Sequence, residues 1–245
     1  LLNEPVRRIF ASLMSFSLLE GPTSATLREL HDDMTHEEFK FAIQQLESMQ
    51  LIEITGELGL YRWHSLIHEF LHKKDALAHA AQDLDFKSQM ERKFCFLYLD
   101  YLSRHDEDYP SLDQQQHNLI HAFGLGFTYN LTTLTQVNGL LPYLVARGFY
   151  EDASEIAMQA EFSVETPNTS EYVELLLNIA KFKIRQGEFD AAKNRLDNAL
   201  SLCGNLGLDI HLGDIYQQLG IVVKTYGQFY PSLFCMASLI LSAII

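Results

Sequence analysis

A short pattern recurs three times in the C-terminal half of this chain, at a nearly constant spacing. It consists of a glycine followed two positions later by an aromatic residue: Gly148 with Tyr150, Gly187 with Phe189, and Gly227 with Phe229. The glycines are 39 and then 40 residues apart. A period in this range is typical of stacked supersecondary units, each of which buries its apolar side only against its neighbours. The pattern therefore favours an extended binding surface over a catalytic pocket.

Each copy predicts a hairpin of two helices. Glycine readily adopts the left-handed conformation that ends a first helix, and we expect the aromatic residue to close the turn. Small residues in the second helix allow the two helices to approach closely; they are Ala153, Ala157, Ala160, Ala192 and Ala199. Residues ahead of the glycines also correspond: Leu176, Ile179 and Ala180 match Tyr216, Leu219 and Gly220.

Roughly the first 80 residues follow another plan, with three helices, a short β-hairpin and a fourth helix. The first helix is expected over residues 5–16, and the second from Ser24, after a break at Gly21. The third begins with a capping box, in which Thr35 and Glu38 satisfy each other's backbone amides. The apolar positions of the three helices are Val6, Ile9, Phe10, Leu13, Leu27, Leu30, Phe39, Ala42, Ile43, Leu46 and Met49.

The β-hairpin is predicted from two short apolar runs, residues 51–55 and 60–63, with Gly56 and Gly59 in the turn between them. The fourth helix is expected to start near Ser65. Three helices followed by a hairpin is the winged-helix arrangement, and small domains of this type can place their third helix in the DNA major groove.

DNA binding is an alternative that the charges of the chain oppose. The third helix would present His36, Glu37, Glu38, Lys40, Gln44, Gln45 and Glu47, and the hairpin would add Glu53 and Glu57. The whole chain carries 18 lysines and arginines against 32 aspartates and glutamates, a formal net charge of -14. Such a field repels phosphate backbones and anionic membrane surfaces. Neither nucleic acid nor a membrane is therefore an expected partner.

Residues 83–130 are predicted to form a helical connector. A helix over residues 86–104 carries aromatic residues at helical spacing, which favours core packing over a cofactor site. A polar loop follows. The next helix is expected to start near Leu112, and Gly124, Gly126 and residues 130–133 mark its expected end.

The three cysteines are widely spaced and form no Cys-x-x-Cys pair. This pattern indicates reduced thiols in a cytoplasmic protein, with neither a disulfide framework nor a zinc cluster. The chain lacks an initiator methionine and opens within a helical pattern, which predicts a piece of a longer protein. Residues 229–245 carry no charge. They are fewer than the about 20 residues that cross a bilayer, so a membrane anchor is the least favoured interpretation. A core helix that lacks its partner and a truncated or frame-shifted end are the other two.

The hairpin pattern resembles the tetratricopeptide repeat (TPR). The resemblance rests on Tyr216, Leu219, Gly220, Gly227 and Phe229, together with the alanines of the earlier copies. The chain departs from the TPR at Ser232, where alanine is usual, and in its longer period. Elongated repeats of this kind are similar to those of bacterial regulatory ATPases. The resemblance implies an α-solenoid of about three units, with further repeats to follow in the intact protein.

The N-terminal part resembles the winged helix that follows the nucleotide-binding core of NB-ARC/STAND signalling ATPases. Those proteins end the domain at a Met-His-Asp-type motif, which corresponds here to Trp63, His64 and Ser65. In that family the histidine contacts the β-phosphate of bound ADP, so the resemblance implies a nucleotide-sensor role for His64. Ser65 stands where the family has aspartate, so the contact that holds the closed, ADP-bound state is expected to be weaker here.

The segment between the winged helix and the repeats is also similar to that family. Its matching residues are Leu112 and Asp113, followed by Asn118, Leu119 and Ala122. No phosphate-binding loop occurs in the sequence, either as GxxxxGK[ST] or as another glycine-rich turn from strand to helix. The chain by itself is therefore expected to be no enzyme and to hold no cofactor. The resemblance implies that ADP or ATP binds an upstream ATPase core, which would be one partner of the winged helix.

The segment His68-Glu69-x-x-His72 matches the H-E-x-x-H pattern of zinc peptidases. Two histidines one helical turn apart can bind zinc, and the glutamate between them can deprotonate a metal-bound water. The extended motif with a third histidine fails, since Asp75 and Ala78 occupy the glycine and histidine positions. Zinc hydrolysis is the least favoured alternative.

The combined expectation is a mainly α-helical, non-catalytic regulatory segment: a winged-helix domain (1–82), a helical connector (83–130) and TPR-like repeats (131–245). The repeats would bind a protein, peptide or small ligand on their concave face and so bias the winged helix against a nucleotide-bound core. By TPR analogy, the first helix of each unit lines that face. The candidate groove residues are Glu174, Lys181, Arg185, Asp214, Gln217 and Lys224.

Overall fold

The structure is a computed structural model that describes residues 3–55, 59–72, 81–164 and 167–229. Helices predominate in it, and the described residues form one small antiparallel sheet. A mainly helical chain with a β-hairpin near its N-terminus is thus confirmed. The chain divides into two compact units between Thr132 and Thr133. Within the described residues, no helix is both long enough and apolar enough to cross a membrane.

The first unit runs from a group of short helices through the hairpin to a group of longer helices. Its elements are α1 (Glu4–Ser12), a 3-10 turn (Leu13–Ser15), α2 (Ser24–Leu30), α3 (His36–Ser48), β1 (Glu53–Thr55), β2 (Leu60–Arg62), α4 (Ser65–His72), α5 (Ala81–Arg104), α6 (Tyr109–Asp113) and α7 (Gln116–Thr128).

Side-chain caps start the early helices where the sequence predicts a start. The side-chain oxygens of Asn3 and Thr23 accept backbone N–H groups in the first turns of α1 and α2. The capping box of α3 is confirmed: the Glu38 amide donates to Thr35 Oγ1 at 3.3 Å, and the Thr35 amide donates to Glu38 Oε2 at 2.9 Å. The predicted apolar positions are buried at Val6, Ile9, Leu13, Leu27, Leu30, Phe39, Ala42, Ile43 and Leu46.

Two details of these helices differ from the prediction. The first helix ends at Ser12, and the chain tightens into the 3-10 turn instead of continuing as α-helix to residue 16. The Ser12 hydroxyl donates to the Ile9 carbonyl at 2.7 Å, which competes with regular helix bonding there. Met49 is 49% exposed, because α3 ends at Ser48 and Met49 lies past the buried stripe.

The predicted hairpin is present, with Ile54 opposite Tyr61 in the antiparallel pair of β1 and β2. Gly59 lies in the turn with a positive φ of 60°. Gly56 lies outside the described residues.

A further extended segment joins this sheet from between α1 and α2. The Tyr61 amide donates to the Pro22 carbonyl at 2.8 Å, and Thr23 forms an antiparallel bridge with Leu60. A Cβ at position 21 would come 1.8 Å from the Tyr61 carbonyl oxygen, so this close approach requires Gly21.

The aromatic residues of α5 form the core of the first unit, as their spacing predicts. The Phe94 ring meets the Phe16 ring edge-on at 5.1 Å between centroids and the Tyr98 ring at 4.7 Å. All three side chains are buried. Burial raises the pKa of the Tyr98 hydroxyl, which donates to the Gln115 side chain at 2.7 Å.

The connector helix predicted to start near Leu112 is two helices, α6 and α7. Of the residues predicted to mark its end, Gly124 and Gly126 lie inside α7, whereas α7 ends at Thr128 and the chain turns at Asn130, whose φ is 54°. Gly126 serves a different purpose: a Cβ at this position would come 2.1 Å from the Thr132 hydroxyl oxygen, so the glycine permits close packing of the following loop.

The second unit is a series of helical hairpins, whose helices are longer than most of those in the first unit. Its elements are α8 (Leu134–Arg147), α9 (Tyr150–Ser163), α10 (Ser170–Gln186), α11 (Phe189–Leu206), a 3-10 turn (Asp209–His211) and α12 (Leu212–Phe229). Within this unit, α10 contacts both α8 and α12, α9 packs against α8 and α10, and α11 packs against α10 and α12.

The first two glycines of the repeated pattern end helices as predicted. Gly148 ends α8 with a φ of 82°, and Gly187 ends α10 with a φ of 80°. The prediction for the third glycine is wrong, because α12 continues through Gly227 to Phe229. Glycine permits a left-handed turn without enforcing one, and its cost of about 1 kcal/mol inside a helix is small for a long helix.

The alanines of the second helices are buried where the hairpins require close approach. Ala153, Ala157 and Ala160 line α9, and Ala192 and Ala199 line α11. The core of the second and third copies also contains Val173, Leu176, Leu177, Ala180, Leu196, Cys203, Ile215 and Val222, with Phe189 packed against it. The second helix predicted for the third copy, including Ser232, lies outside the described residues.

Candidate binding face of the second unit

Five residues of α10 form one stripe along the helix. Their positions follow the spacing three, four, three, four, which places side chains on a single helical face. The residues are Glu171, Glu174, Asn178, Lys181 and Arg185. Three of them were predicted as groove residues. Hydrogen bonds and an ion pair join this stripe to α8 on one side and to α12 on the other, and the shared surface is called the α8/α10/α12 face below.

Two buried asparagines brace α8 against α10. Asn138 Nδ2 donates to the Glu171 carbonyl oxygen at 2.9 Å and lies 3.4 Å from Glu174 Oε2. Asn178 Nδ2 donates to Asn138 Oδ1 at 3.3 Å. Both asparagines are buried. A buried amide is costly unless it is hydrogen-bonded, so this chain of bonds holds the two helices in one register and orients the Glu174 carboxylate.

Sequence reasoning missed both asparagines. The residues predicted from the sequence are polar positions expected on the helix surface, whereas Asn138 and Asn178 lie in otherwise apolar stretches of their helices. That contrast was itself a usable signal, because a lone polar residue among buried neighbours needs a polar partner.

The basic end of the stripe is also held by neighbouring helices. Arg185 Nη1 donates to the Val145 carbonyl oxygen of α8 at 3.2 Å. Lys181 Nζ lies 3.7 Å from Asp214 Oδ2 of α12. The Lys181 and Asp214 side chains are 38% and 59% exposed, so their ion pair adds little stability, at most about 1 kcal/mol. The ion pair instead orients the two side chains, so that two predicted groove residues meet at the boundary between α10 and α12.

The remaining predicted residues extend the face along α12. Gln217 and Lys224 are exposed and lie three and ten positions after Asp214, which places all three along one side of the helix. The structure thus brings the six predicted groove residues onto two adjacent helices.

His64 lies on the other unit, just ahead of α4. The Leu66 amide donates to its Nδ1 at 3.1 Å, and the Ile67 amide donates to its carbonyl oxygen at 2.9 Å. The ring therefore acts as the N-cap of α4, and because Nδ1 is the acceptor, the ring proton lies on Nε2. The exposed side chain keeps one donor for a ligand.

The loop between α1 and α2 contacts the start of α7 through Asn118 and Glu20. Asn118 is buried; its Oδ1 accepts the Ser17 amide at 2.8 Å, and its Nδ2 donates to the Glu20 carbonyl oxygen at 2.5 Å. The Glu20 carboxylate accepts the amides of His117 at 2.7 Å and Asn118 at 3.2 Å. Glu20 thereby caps the start of α7, and Asn118 anchors the loop that carries it.

The zinc-peptidase and DNA-binding alternatives gain no support from the described residues. His68 and His72 lie one turn apart in α4, but their side chains lie outside the described part. No group of three or more potential metal ligands occurs among the residues whose side chains are described. The exposed side of α3 carries Glu37, Glu38 and Lys40 beside Phe41, a mixture poorly suited to phosphate contacts.

The chain was compared with protein-family models, with curated proteins and with solved structures, and none of the three comparisons found a match.

Proposed function

We propose that this chain is a regulatory binding segment, in which the α8/α10/α12 face holds a peptide segment of a partner protein. The observation that carries the proposal is the braced polar stripe of α10, whose Glu174, Lys181 and Arg185 side chains are each held by an adjacent helix. Preorganised polar groups lose little conformational freedom when a ligand binds, which favours a recognition surface.

The repeat geometry supports an elongated TPR-like solenoid. Two hairpins end their first helix at a left-handed glycine, and α8, α10 and α12 succeed one another in contact while α9 and α11 pack against them. In such a solenoid the first helices line an extended surface that suits an extended ligand.

The order of elements in the first unit supports a winged-helix assignment. Three helices precede the β1–β2 hairpin, and the segment at Pro22 and Thr23 joins it through one hydrogen bond and an isolated bridge. Together with the resemblance at His64, this supports a place for the chain beside the nucleotide-binding core of a STAND-type ATPase. There the Nε2 donor of His64 would contact a phosphate oxygen, and partner binding on the repeats would bias that contact.

The binding proposal is tested with a random decapeptide library displayed on beads and the whole chain as bait. An enriched peptide is synthesised and its affinity measured by titration calorimetry. We expect Lys181→Glu to weaken binding at least tenfold, because it reverses a charge within the face.

Lys193→Glu is the matched control, since Lys193 of α11 also pairs with one aspartate, Asp197, at 2.6 Å. It should change the affinity less than twofold. Equal effects of the two variants, with both folded by circular dichroism, would refute the assignment of the face.

A further inference from the structure

The charges of the α10 stripe are sorted along the helix. Glu171 and Glu174 lie in its N-terminal half, and Lys181 and Arg185 lie in its C-terminal half. The same order occurs on α12, where Asp214 near the start and Lys224 near the end are the charged residues of the helix. The two helices lie in contact, and Asp214 lies beside Lys181, so the acidic start of α12 meets the basic half of α10 across one face.

Helix dipoles alone do not account for this order. A dipole favours acids at the start and bases at the end of any helix. The helices α9 and α11, which pack against the other helices of the same unit, do not show the order. Within α9 (Tyr150–Ser163) there are carboxylates from the first turn to the last and no lysine or arginine. In α11 (Phe189–Leu206), Asp197 follows Lys193 and Arg195. The sorted charges therefore belong to the α8/α10/α12 face.

The distance between the charged ends sets the length of ligand that can use both. Glu171 and Arg185 are 14 positions apart, which at the rise of an α-helix corresponds to about 21 Å. An extended peptide covers that distance in about six residues. Asn178 and the bound Asn138 occupy the middle of the span and carry no charge.

We infer that the ligand is an extended peptide with segregated charges: cationic residues at one end, anionic residues about six positions away, and neutral residues between them. The cationic end lies at Glu171 and Glu174. The anionic end lies at Arg185 and at Lys181, where it competes with the Asp214 carboxylate. Charge complementarity of this kind sets orientation and partner choice more than total affinity. The inference rests on the proposed peptide-binding function and adds to it the charge order of the partner.

The test uses the wild-type chain and blocked decapeptides of one composition, each with two lysines, two glutamates and six neutral residues taken from a library-enriched binder. In one set the lysines and glutamates are segregated at opposite ends, in both chain directions. In the other set they alternate. Fluorescence anisotropy at low salt gives the affinities.

We expect one of the segregated peptides to bind at least tenfold more tightly than the alternating peptides. The advantage should shrink at 0.5 M salt, because exposed charges are screened. Lys181→Glu should also lose its effect once glutamine replaces the glutamates of the peptide, which is the signature of a direct pairing in a double-mutant cycle.

Equal affinities for segregated and alternating peptides would overturn the inference while leaving the binding function in place. Enrichment of no peptide at all from the library would instead remove the proposed function, and the inference with it.

Discussion

At the scale of single residues, His31 is the group most at odds with its surroundings. Its side chain is fully buried, and Nδ1 has no hydrogen-bond partner among the residues that the structure describes. The Ser12 hydroxyl donates to the Ile9 carbonyl, so the ring Nε2–H donates to Ser12 Oγ, 2.8 Å away. Burial, aided by the nearby Arg8, Lys93 and Arg28 and opposed by Asp33, lowers the pKa of His31 to about 4.

This pKa predicts a pH dependence of stability. Between pH 6.5 and about 4 the unfolded chain protonates His31 while the folded chain does not, so the free energy of unfolding falls as the pH falls through that window. The shift corresponds to a loss of about 3 kcal/mol. Replacing His31 with leucine should flatten the profile, measured by urea unfolding followed through the fluorescence of Trp63, the single, buried tryptophan.

The exposed His36→Gln variant is the control, and its profile should match that of the wild type. A His31→Leu profile with the wild-type slope between pH 6.5 and 4 would show that this histidine is not the titrating group.

At the scale of the element, sequence patterns predicted local signals well and distant partners poorly. The capping box of α3 and the glycine ends of α8 and α10 depend on residues within a few positions, and each was predicted correctly. The cap of α7 is supplied by Glu20, 97 residues away in the chain, and no local pattern announces it. The same holds for the brace between Asn138 and Asn178.

The repeated glycines provide a matched pair of variants. Gly187→Ala should destabilise the protein by about 1–2 kcal/mol, because an L-residue is strained at a φ of 80°. Gly227→Ala should instead be neutral or stabilise it by up to about 1 kcal/mol, since alanine is the better residue inside a helix. Thermal unfolding followed by circular dichroism checks both. A loss of stability in Gly227→Ala equal to that in Gly187→Ala would contradict the helical assignment at position 227.

The distant cap of α7 is testable in the first unit. Glu20→Ala should lower the free energy of unfolding by about 1–2 kcal/mol, because it leaves two backbone amides of α7 without their acceptor. Glu29→Ala, at an exposed position of α2, should cost much less. Urea unfolding monitored at Trp63 distinguishes the two, and equal losses would mean that Glu20 does not cap α7.

At the scale of the whole molecule, periodicity and composition predicted the helical class and the hairpin, and the TPR analogy placed six candidate binding residues on two helices. They did not predict how those residues are held, because the buried amide bonds of Asn138 and the contact of Arg185 with a backbone carbonyl follow from packing between helices. We therefore propose that the α8/α10/α12 face recognises the ligand and that the helices packed against it support this face.

The most direct measurement is photo-crosslinking of a library-enriched decapeptide, carrying a photoreactive residue at its centre, to the whole chain, with the adducts mapped by mass spectrometry. If the α8/α10/α12 face binds the peptide, we expect adducts on α10 and its neighbours α8 and α12, near Asn178 and Gln217. The adducts should be lost in Lys181→Glu but not in Lys193→Glu. Adducts confined to α9 and α11, or to residues 3–128, would contradict this expectation.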